Sequence, residues 1–129
     1  MLIQVLRSKV HHLTITEADL NYKGSLTLDE DIMKAVKMFE HEKIHVVNVN
    51  NGERLETYLI KGKKGSGICC LNGPAARKGM VGDTIIVLAY GLVEINKADS
   101  WYPLVLHPLP GNIVPPNGVL SGLKQTEQA

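Results

Sequence analysis

Tyr22-Lys23-Gly24-Ser25 is a polar stretch near the start of the chain, and it ends in a Gly–Ser peptide bond. Gly24 has no Cβ, so its backbone can reach strained angles that leave its carbonyl group open to attack. The hydroxyl of Ser25 can attack that carbonyl and move the acyl group from nitrogen to oxygen. The stretch therefore predicts self-cleavage between Gly24 and Ser25.

Elimination of the resulting ester would convert residue 25 to a pyruvoyl group. Such a ketone forms a Schiff base with an amine and withdraws electrons from its α-carbon, as pyridoxal phosphate does in other enzymes. The dipeptide alone is weak evidence, because Gly-Ser is also a common loop pair. A second copy, Gly65-Ser66, lies in the basic loop 61–67, which we interpret as a turn. That loop lacks the spacing of a phosphate-binding loop.

The composition indicates one soluble globular domain. The chain has 129 residues, which is enough for one compact core. Its 44% of hydrophobic and 21% of charged residues are ordinary for a globular protein. Its net charge of +1 and its 5% of aromatic residues give no general attraction to nucleic acid and no stacking platform for single strands. The N-terminus is charged too early for a signal peptide, and the uncharged apolar run 84–93 is too short to span a membrane. A cytoplasmic location is expected by default.

Metal binding is not predicted. Cys69 and Cys70 are adjacent in a predicted strand, so their side chains are expected on opposite faces, without a disulfide or a zinc site. The same alternation places His11 and His12 on opposite faces, which argues against a shared metal ion.

The pattern of secondary structure is mainly β. Strands are predicted over residues 2–6, 10–16, 44–49, 53–60, 68–71, 84–90 and 101–106, with the apolar run from residue 84 as the central strand. Residues 17–23 are interpreted as irregular. One helix is predicted just beyond Ser25, with Thr27 or Asp29 as its N-cap. Its apolar stripe consists of Ile32, Ala35, Val36 and Phe39. Many short strands and one helix fit a small β-barrel with an α insertion.

Several short motifs follow one another in an order and spacing known from one family. They are Lys9, His11, Tyr22-x-Gly24-Ser25, Asn51-Gly52-x-Arg54, Thr57-Tyr58, Asn72-Gly73 and Gly82-Asp83. Together they resemble the aspartate 1-decarboxylases, pyruvoyl-dependent enzymes that make β-alanine for pantothenate. The resemblance covers residues 1–106, and the Pro- and Gly-rich segment 107–129 is expected to be a flexible tail.

The resemblance implies a double-psi β-barrel that assembles as a homotetramer, with active sites at subunit interfaces. Cleavage would leave a β chain of residues 1–24 and an α chain of residues 25–129, which would begin with the pyruvoyl group derived from Ser25. Whether cleavage needs a helper protein stays open.

The resemblance also assigns roles to individual residues. Lys9 and Arg54 would hold the two carboxylates of L-aspartate, consistent with the preference of guanidinium and ammonium groups for carboxylates. Which cation holds which carboxylate stays open. Tyr58 would protonate the carbanion left by decarboxylation, and Thr57 would polarise the Gly24 carbonyl during cleavage. The remaining residues expected to line the site are Tyr22, Asn72, Gly73, Pro74 and Ala75.

Pro74 departs from the family pattern, and His11 matches it without a clear function. Pro74 replaces a small residue of the family and removes a backbone N–H that a carboxylate could use. His11 is expected near the site without a defined role.

Two other functions are compatible with the residues. The chain could be a non-catalytic β-barrel that binds a peptide or protein, with Gly24-Ser25 as an ordinary turn. It could also be a pyruvoyl-dependent decarboxylase of another amino acid, although two cationic residues favour a dicarboxylic substrate such as aspartate or glutamate.

Overall fold

The computed structural model describes residues 1–120, which form one mixed sheet with little helix. The strands are β1 Leu2–Thr14, β2 Glu17–Asp19, β3 Ser25–Asp29, β4 Lys43–Asn48, β5 Arg54–Gly62, β6 Cys69–Asn72, β7 Thr84–Glu94 and β8 Leu104–Leu106. The helix α1 spans Glu30–Ala35, and two 3₁₀ segments span Gly73–Lys78 and Ile95–Ser100. The predicted fold class, mainly β with a small α component, is confirmed.

The strand order is β2-β6-β3-β5-β4-β7-β1-β8. Within residues 1–120 no ladder joins the end strands β2 and β8, so the sheet is not closed. The large share of strand and the small share of helix are consistent with a small β-barrel fold. β7 lies inside the sheet between β4 and β1, as the apolar run predicted. No helix in this part of the chain has the length and apolar character needed to cross a lipid bilayer.

The core is built from one face of each long strand. In β7, Ile85, Val87 and Ala89 are fully buried, while the residues between them are partly exposed. Burying an aliphatic side chain of this size contributes roughly 1.5–3 kcal/mol relative to leaving it exposed. The same core contains Val10, Leu13, Leu26, Leu28, Ile32, Ile44, Val46 and Leu59.

β1 is one long strand rather than the two predicted. Its ladder with β7 shifts register between Leu6 and Ser8 and again between Val10 and Leu13. At the second shift His12 has a φ of 67°, which breaks the strict alternation of side chains. The rings of His11 and His12 are therefore 3.8 Å apart between centroids, and the prediction that they point to opposite faces is wrong.

The region after Ser25 also differs from the prediction. Residues 25–29 are a strand with ladders to both β5 and β6, so Thr27 is not a helix cap. Asp29 is the cap, because its carboxylate accepts a 2.8 Å hydrogen bond from the Asp31 N–H. α1 then ends at Ala35, and Phe39 is 68% exposed rather than part of the core.

The segment after His107 is attached to the sheet as far as the structure describes it. Asn112 is buried and bonds through its side-chain amide to Thr14 N–H, Thr14 C=O and Gly67 C=O. Leu120 exchanges backbone hydrogen bonds with Val105. Residues 107–120 therefore have defined contacts with the sheet, whereas residues 121–129 lie outside the described residues and the flexibility of the segment stays a prediction.

Candidate active site

The Gly24–Ser25 bond lies where an exposed turn enters the sheet. Tyr22 is 53% exposed, whereas the Ser25 side chain, at the first position of β3, is fully buried. Leu26 and Leu28 point into the core and anchor β3. Because side chains alternate along a strand, this also fixes the direction of the side chain of Ser25. The bond predicted to break therefore joins an exposed turn to a buried strand.

The Ser25 hydroxyl is held by Asn72 from the neighbouring strand. Ser25 and Asn72 are partners in the antiparallel ladder of β3 and β6. The Nδ2 group of Asn72 donates to Ser25 Oγ at 2.9 Å and to Thr27 Oγ1 at 2.8 Å. Ser25 Oγ in turn donates to the Lys23 carbonyl at 3.3 Å. The nucleophile predicted from sequence thus has a defined orientation in a buried network.

Gly73 brings the following 3₁₀ segment against the cleavage segment. Its φ is 63°, and a Cβ at this position would lie 2.4 Å from the Tyr22 carbonyl oxygen and 2.8 Å from Gly24 N. Only glycine combines this backbone angle with so close an approach. Pro74 follows, with its Cδ 3.5 Å from the position that a Cβ of Gly24 would take. Gly73 and Pro74 therefore border the Gly24–Ser25 bond directly.

A cleft of about 400 Å³ opens beside this bond. The parallel ladder pairs Leu26 with Leu59, so the chain leading into β3 runs beside the Thr57-Tyr58 part of β5. The cleft is lined by Gly24, Leu55, Glu56, Thr57, Tyr58, Pro74, Ala75 and Lys78. One chain therefore brings Thr57, Tyr58, Pro74 and Ala75 together with Gly24.

The two cations expected to bind the substrate do not line this cleft. Arg54 is exposed and lines a separate cleft of about 600 Å³, together with Gln4, Glu42, Lys43, His45, Glu56 and Tyr90. Lys9 lies on β1 opposite Leu88 and Val105. Within residues 1–120 of a single chain, neither cation is among the residues that surround the Gly24–Ser25 bond.

His11 lies in a small group of cationic and aromatic side chains. Burial and, to a smaller extent, the charges of the neighbouring His12, Lys9 and His107 together lower the pKa of His11 to about 4. The rings of His11 and His107 are 5.2 Å apart between centroids. His11 is therefore neutral at pH 7, and it does not line the cleft beside Gly24.

Sequence reasoning missed Thr27 as a member of the site. Its capping-box spacing with Glu30 predicts a helix cap at Thr27 instead. The signal that could have found it is the alternation of Ser25, Thr27 and Asp29 with Leu26 and Leu28, which is typical of a strand.

Comparison with known proteins identifies the family of the chain. A profile of the family described as aspartate decarboxylase matches residues 1–114, somewhat past the end expected at residue 106. The aspartate 1-decarboxylase of Cytophaga hutchinsonii is 52% identical over 108 residues, which cover 84% of this chain and 94% of that protein. That of Caldicellulosiruptor bescii is 56% identical over 106 residues, which cover 82% of this chain and 83% of that protein. The chain belongs to the aspartate decarboxylase family.

Proposed function

We propose that the chain decarboxylates L-aspartate to β-alanine and carbon dioxide, as a step towards pantothenate, after cleaving itself between Gly24 and Ser25. The observation that carries the proposal is the buried Ser25 hydroxyl, held at 2.9 Å by Asn72 beside a cleft that contains Thr57 and Tyr58. Membership of a family of decarboxylases favours this function over a non-catalytic binding module.

Self-cleavage needs a nucleophile, an electrophile and a group that stabilises the charge between them. Ser25 is the nucleophile, and Asn72 stabilises negative charge on its oxygen as the proton leaves. The Gly24 carbonyl is the electrophile, and its residue lines the same cleft as Thr57. A hydroxyl donor such as Thr57 polarises that carbonyl and stabilises the oxyanion.

The surroundings of residue 25 fit a pyruvoyl group. The position is fully buried, and the Asn72 amide offers N–H donors of the kind that a carbonyl oxygen accepts. When formed, the pyruvoyl group supplies a ketone that binds the substrate amine and draws electrons from its α-carbon.

The two cations assigned to the substrate do not line the cleft within residues 1–120 of one chain. Lys9 and Arg54 are the groups assigned to the two carboxylates of L-aspartate, and Arg54 is exposed on an adjacent part of β5. We therefore include in the proposal a homotetramer with active sites at subunit interfaces, in which neighbouring copies complete each site.

The proton that replaces carbon dioxide comes from Tyr58. Its side chain is partly buried and lines the cleft with Gly24, Pro74 and Ala75. Tyr22, Asn72, Gly73, Pro74 and Ala75 shape the rest of the site and leave room for a small substrate. Because Pro74 has no N–H, the backbone contributes one donor fewer than a small residue there would allow.

The direct test is a product assay. Purified protein incubated with L-aspartate should form β-alanine and carbon dioxide in equal amounts, and the Ser25→Ala variant should form neither. L-glutamate serves as the second substrate, because it carries the same two negative charges with one more methylene. Turnover of glutamate in preference to aspartate would replace aspartate as the substrate, and a maturing enzyme that turns over neither would refute the proposal.

A further inference from the structure

Four side chains form a compact group on one face of the β3–β6 ladder. The register places Ser25 opposite Asn72 and Thr27 opposite Cys70. Because directly opposed residues of an antiparallel pair share a face, and so do residues two apart in a strand, all four point the same way. Cys70 is thus a neighbour of the reactive serine through Asn72, although the function proposed above gives it no role.

The thiol of Cys70 bonds to the other end of the Asn72 amide. Its Sγ lies 3.1 Å from Asn72 Oδ1 and donates a hydrogen bond to it. Asn72 Nδ2 then donates to Ser25 Oγ, and Ser25 Oγ donates to the Lys23 carbonyl. The bonds form one chain in which every proton points in the same direction, from Cys70 towards the cleavage segment. Hydrogen bonds in such a chain strengthen one another.

The surroundings of Cys70 keep it in the form that can donate. Cys70 is 4% exposed, and β2 lies beside it, with Glu17 paired to Cys70 and Asp19 to Asn72. Burial and, to a smaller extent, the negative charges of Glu17 and Asp19 together raise the pKa of the Cys70 thiol to about 11. At neutral pH the group is therefore a thiol and not a thiolate.

The orientation of the Asn72 amide matters for the acyl shift. In that step the bond from Ser25 Oγ to the Gly24 carbonyl carbon forms as the Oγ–H bond breaks, and the C–N bond breaks as the nitrogen takes up a proton. An N–H directed at Ser25 Oγ stabilises the charge that develops there, whereas a rotated amide would direct its oxygen at the same atom and repel it.

We propose that Cys70 is a positioning residue for self-cleavage, because its thiol holds the Asn72 amide in the orientation that activates Ser25. The inference rests on the self-cleavage proposed above. It concerns the formation of the active enzyme, since Cys70 does not touch the reacting atoms.

The test measures how fast freshly synthesised chains are cleaved. Wild-type and variant proteins are made by cell-free synthesis, and the uncut fraction is followed by denatured intact mass. Cys70→Ala removes the donor and should slow cleavage about fivefold to tenfold, the effect of losing one modest hydrogen bond. Cys70→Ser keeps a donor at the same position and should restore most of the rate.

Cys69→Ala is the matched control. Cys69 is a fully buried thiol on the same strand, but it lies on the other face and does not bond to Asn72. Its variant should cleave near the wild-type rate. Equal slowing in the Cys69 and Cys70 variants would indicate a general loss of packing and overturn the positioning role. If Cys70→Ala does not fold, Cys70→Val is the replacement, because it fills the space without offering a donor.

A double-mutant cycle separates an effect through Asn72 from any other effect. In an Asn72→Ala background, Cys70→Ala should cause no further slowing, because the amide that it positions is absent. Additive slowing would overturn the inference and leave self-cleavage intact, as would wild-type cleavage in Cys70→Ala alone. A wild-type chain that is never cleaved would overturn the inference and the proposed function together.

Discussion

The side-chain amide of Asn72 donates a 2.9 Å hydrogen bond to the hydroxyl of Ser25, a residue 47 positions earlier in the chain. The two residues meet because they are register partners in the β3–β6 ladder. The nucleophile is therefore oriented by the sheet, whereas the carbonyl that it attacks belongs to a glycine in the preceding turn. A nucleophile held in place beside the carbonyl that it attacks suits a reaction within one backbone segment.

The close approach of Gly73 to the cleavage segment yields the first prediction. Gly73→Ala should slow or abolish cleavage, because the new Cβ would lie 2.4 Å from the Tyr22 carbonyl oxygen and displace residues 22–24. We expect a loss of stability of about 1–3 kcal/mol from overpacking, in addition to the cost of the left-handed angle. Cleavage is followed by mass, and stability by chemical denaturation.

Gly52→Ala is the matched control for that variant. Gly52 has a φ of 75°, similar to that of Gly73, but a Cβ there has no heavy atom within 4 Å. The control should lose stability through backbone strain alone and cleave normally. Equal effects of the two substitutions on cleavage would contradict the role of the close approach.

Thr57→Val tests the group assigned to the Gly24 carbonyl. Valine has nearly the shape of threonine but no hydroxyl, so cleavage should slow by roughly a hundredfold, the usual effect of losing one oxyanion donor. The KM for aspartate of whatever enzyme matures should change far less. Thr84→Val, at the start of β7 and outside the cleft, is the comparison. Normal maturation of the Thr57 variant would remove this residue from the cleavage step.

Tyr58→Phe separates maturation from turnover. The ring still packs in the cleft, so the chain should cleave normally, but the proton donor is lost and kcat should fall by about a hundredfold or more. Tyr102→Phe controls for the loss of a phenol elsewhere, since Tyr102 is 46% exposed and outside the cleft. A cleaved Tyr58 variant with near-normal kcat would assign the proton to another group.

The lowered pKa of His11 predicts that the stability of the fold depends on pH. Its folded pKa of about 4 lies below its usual value of 6.5, so between these values the unfolded chain binds more protons than the folded one. Stability is therefore present above pH 6.5 and is lost as the pH falls towards 4. The thermal midpoint should fall between pH 7 and pH 5, and it should fall less in His11→Gln.

That comparison uses Ser25→Ala as the common background, so that both proteins stay uncut. His12, Lys9 and His107 surround His11 and are unchanged in both proteins. The same fall in midpoint with and without His11 would mean that other groups cause the pH dependence.

Most strands could be predicted from sequence because their alternating or continuous apolar residues report burial directly. The sequence does not reveal β3, because Asp29 and Glu30 give a strong helix-start signal and Thr27 has capping-box spacing with Glu30. The side chain of Asp29 does cap α1, but it also accepts hydrogen bonds from Gly65 N–H and Gly67 N–H and so closes the end of β3. Such long-range partners have no local signature in the sequence.

Only part of the candidate site could be predicted, because contacts between distant parts of the chain leave no local signature in the sequence. Gly24, Thr57, Tyr58, Pro74 and Ala75 meet in one cleft because β3, β5 and the segment after β6 are adjacent in the sheet. Lys9 and Arg54 do not line this cleft within residues 1–120 of one chain. The strand pattern of a single chain gives no reason to place either cation in the cleft. Nor could alternation predict the contact of His11 with His12, since it depends on the shift of register in β1.

The most direct test of the central claim is the denatured intact mass of freshly purified protein, repeated after prolonged warming, beside the Ser25→Ala variant. We predict that the wild type breaks into residues 1–24 and 25–129, the larger fragment blocked by a ketone at its N-terminus, while the variant keeps its full mass. If the full mass of the wild type persists on warming, host cell extract is added to supply any helper protein. A wild-type chain that still stays intact, or a Ser25→Ala chain that is cleaved at the same bond, would contradict the claim.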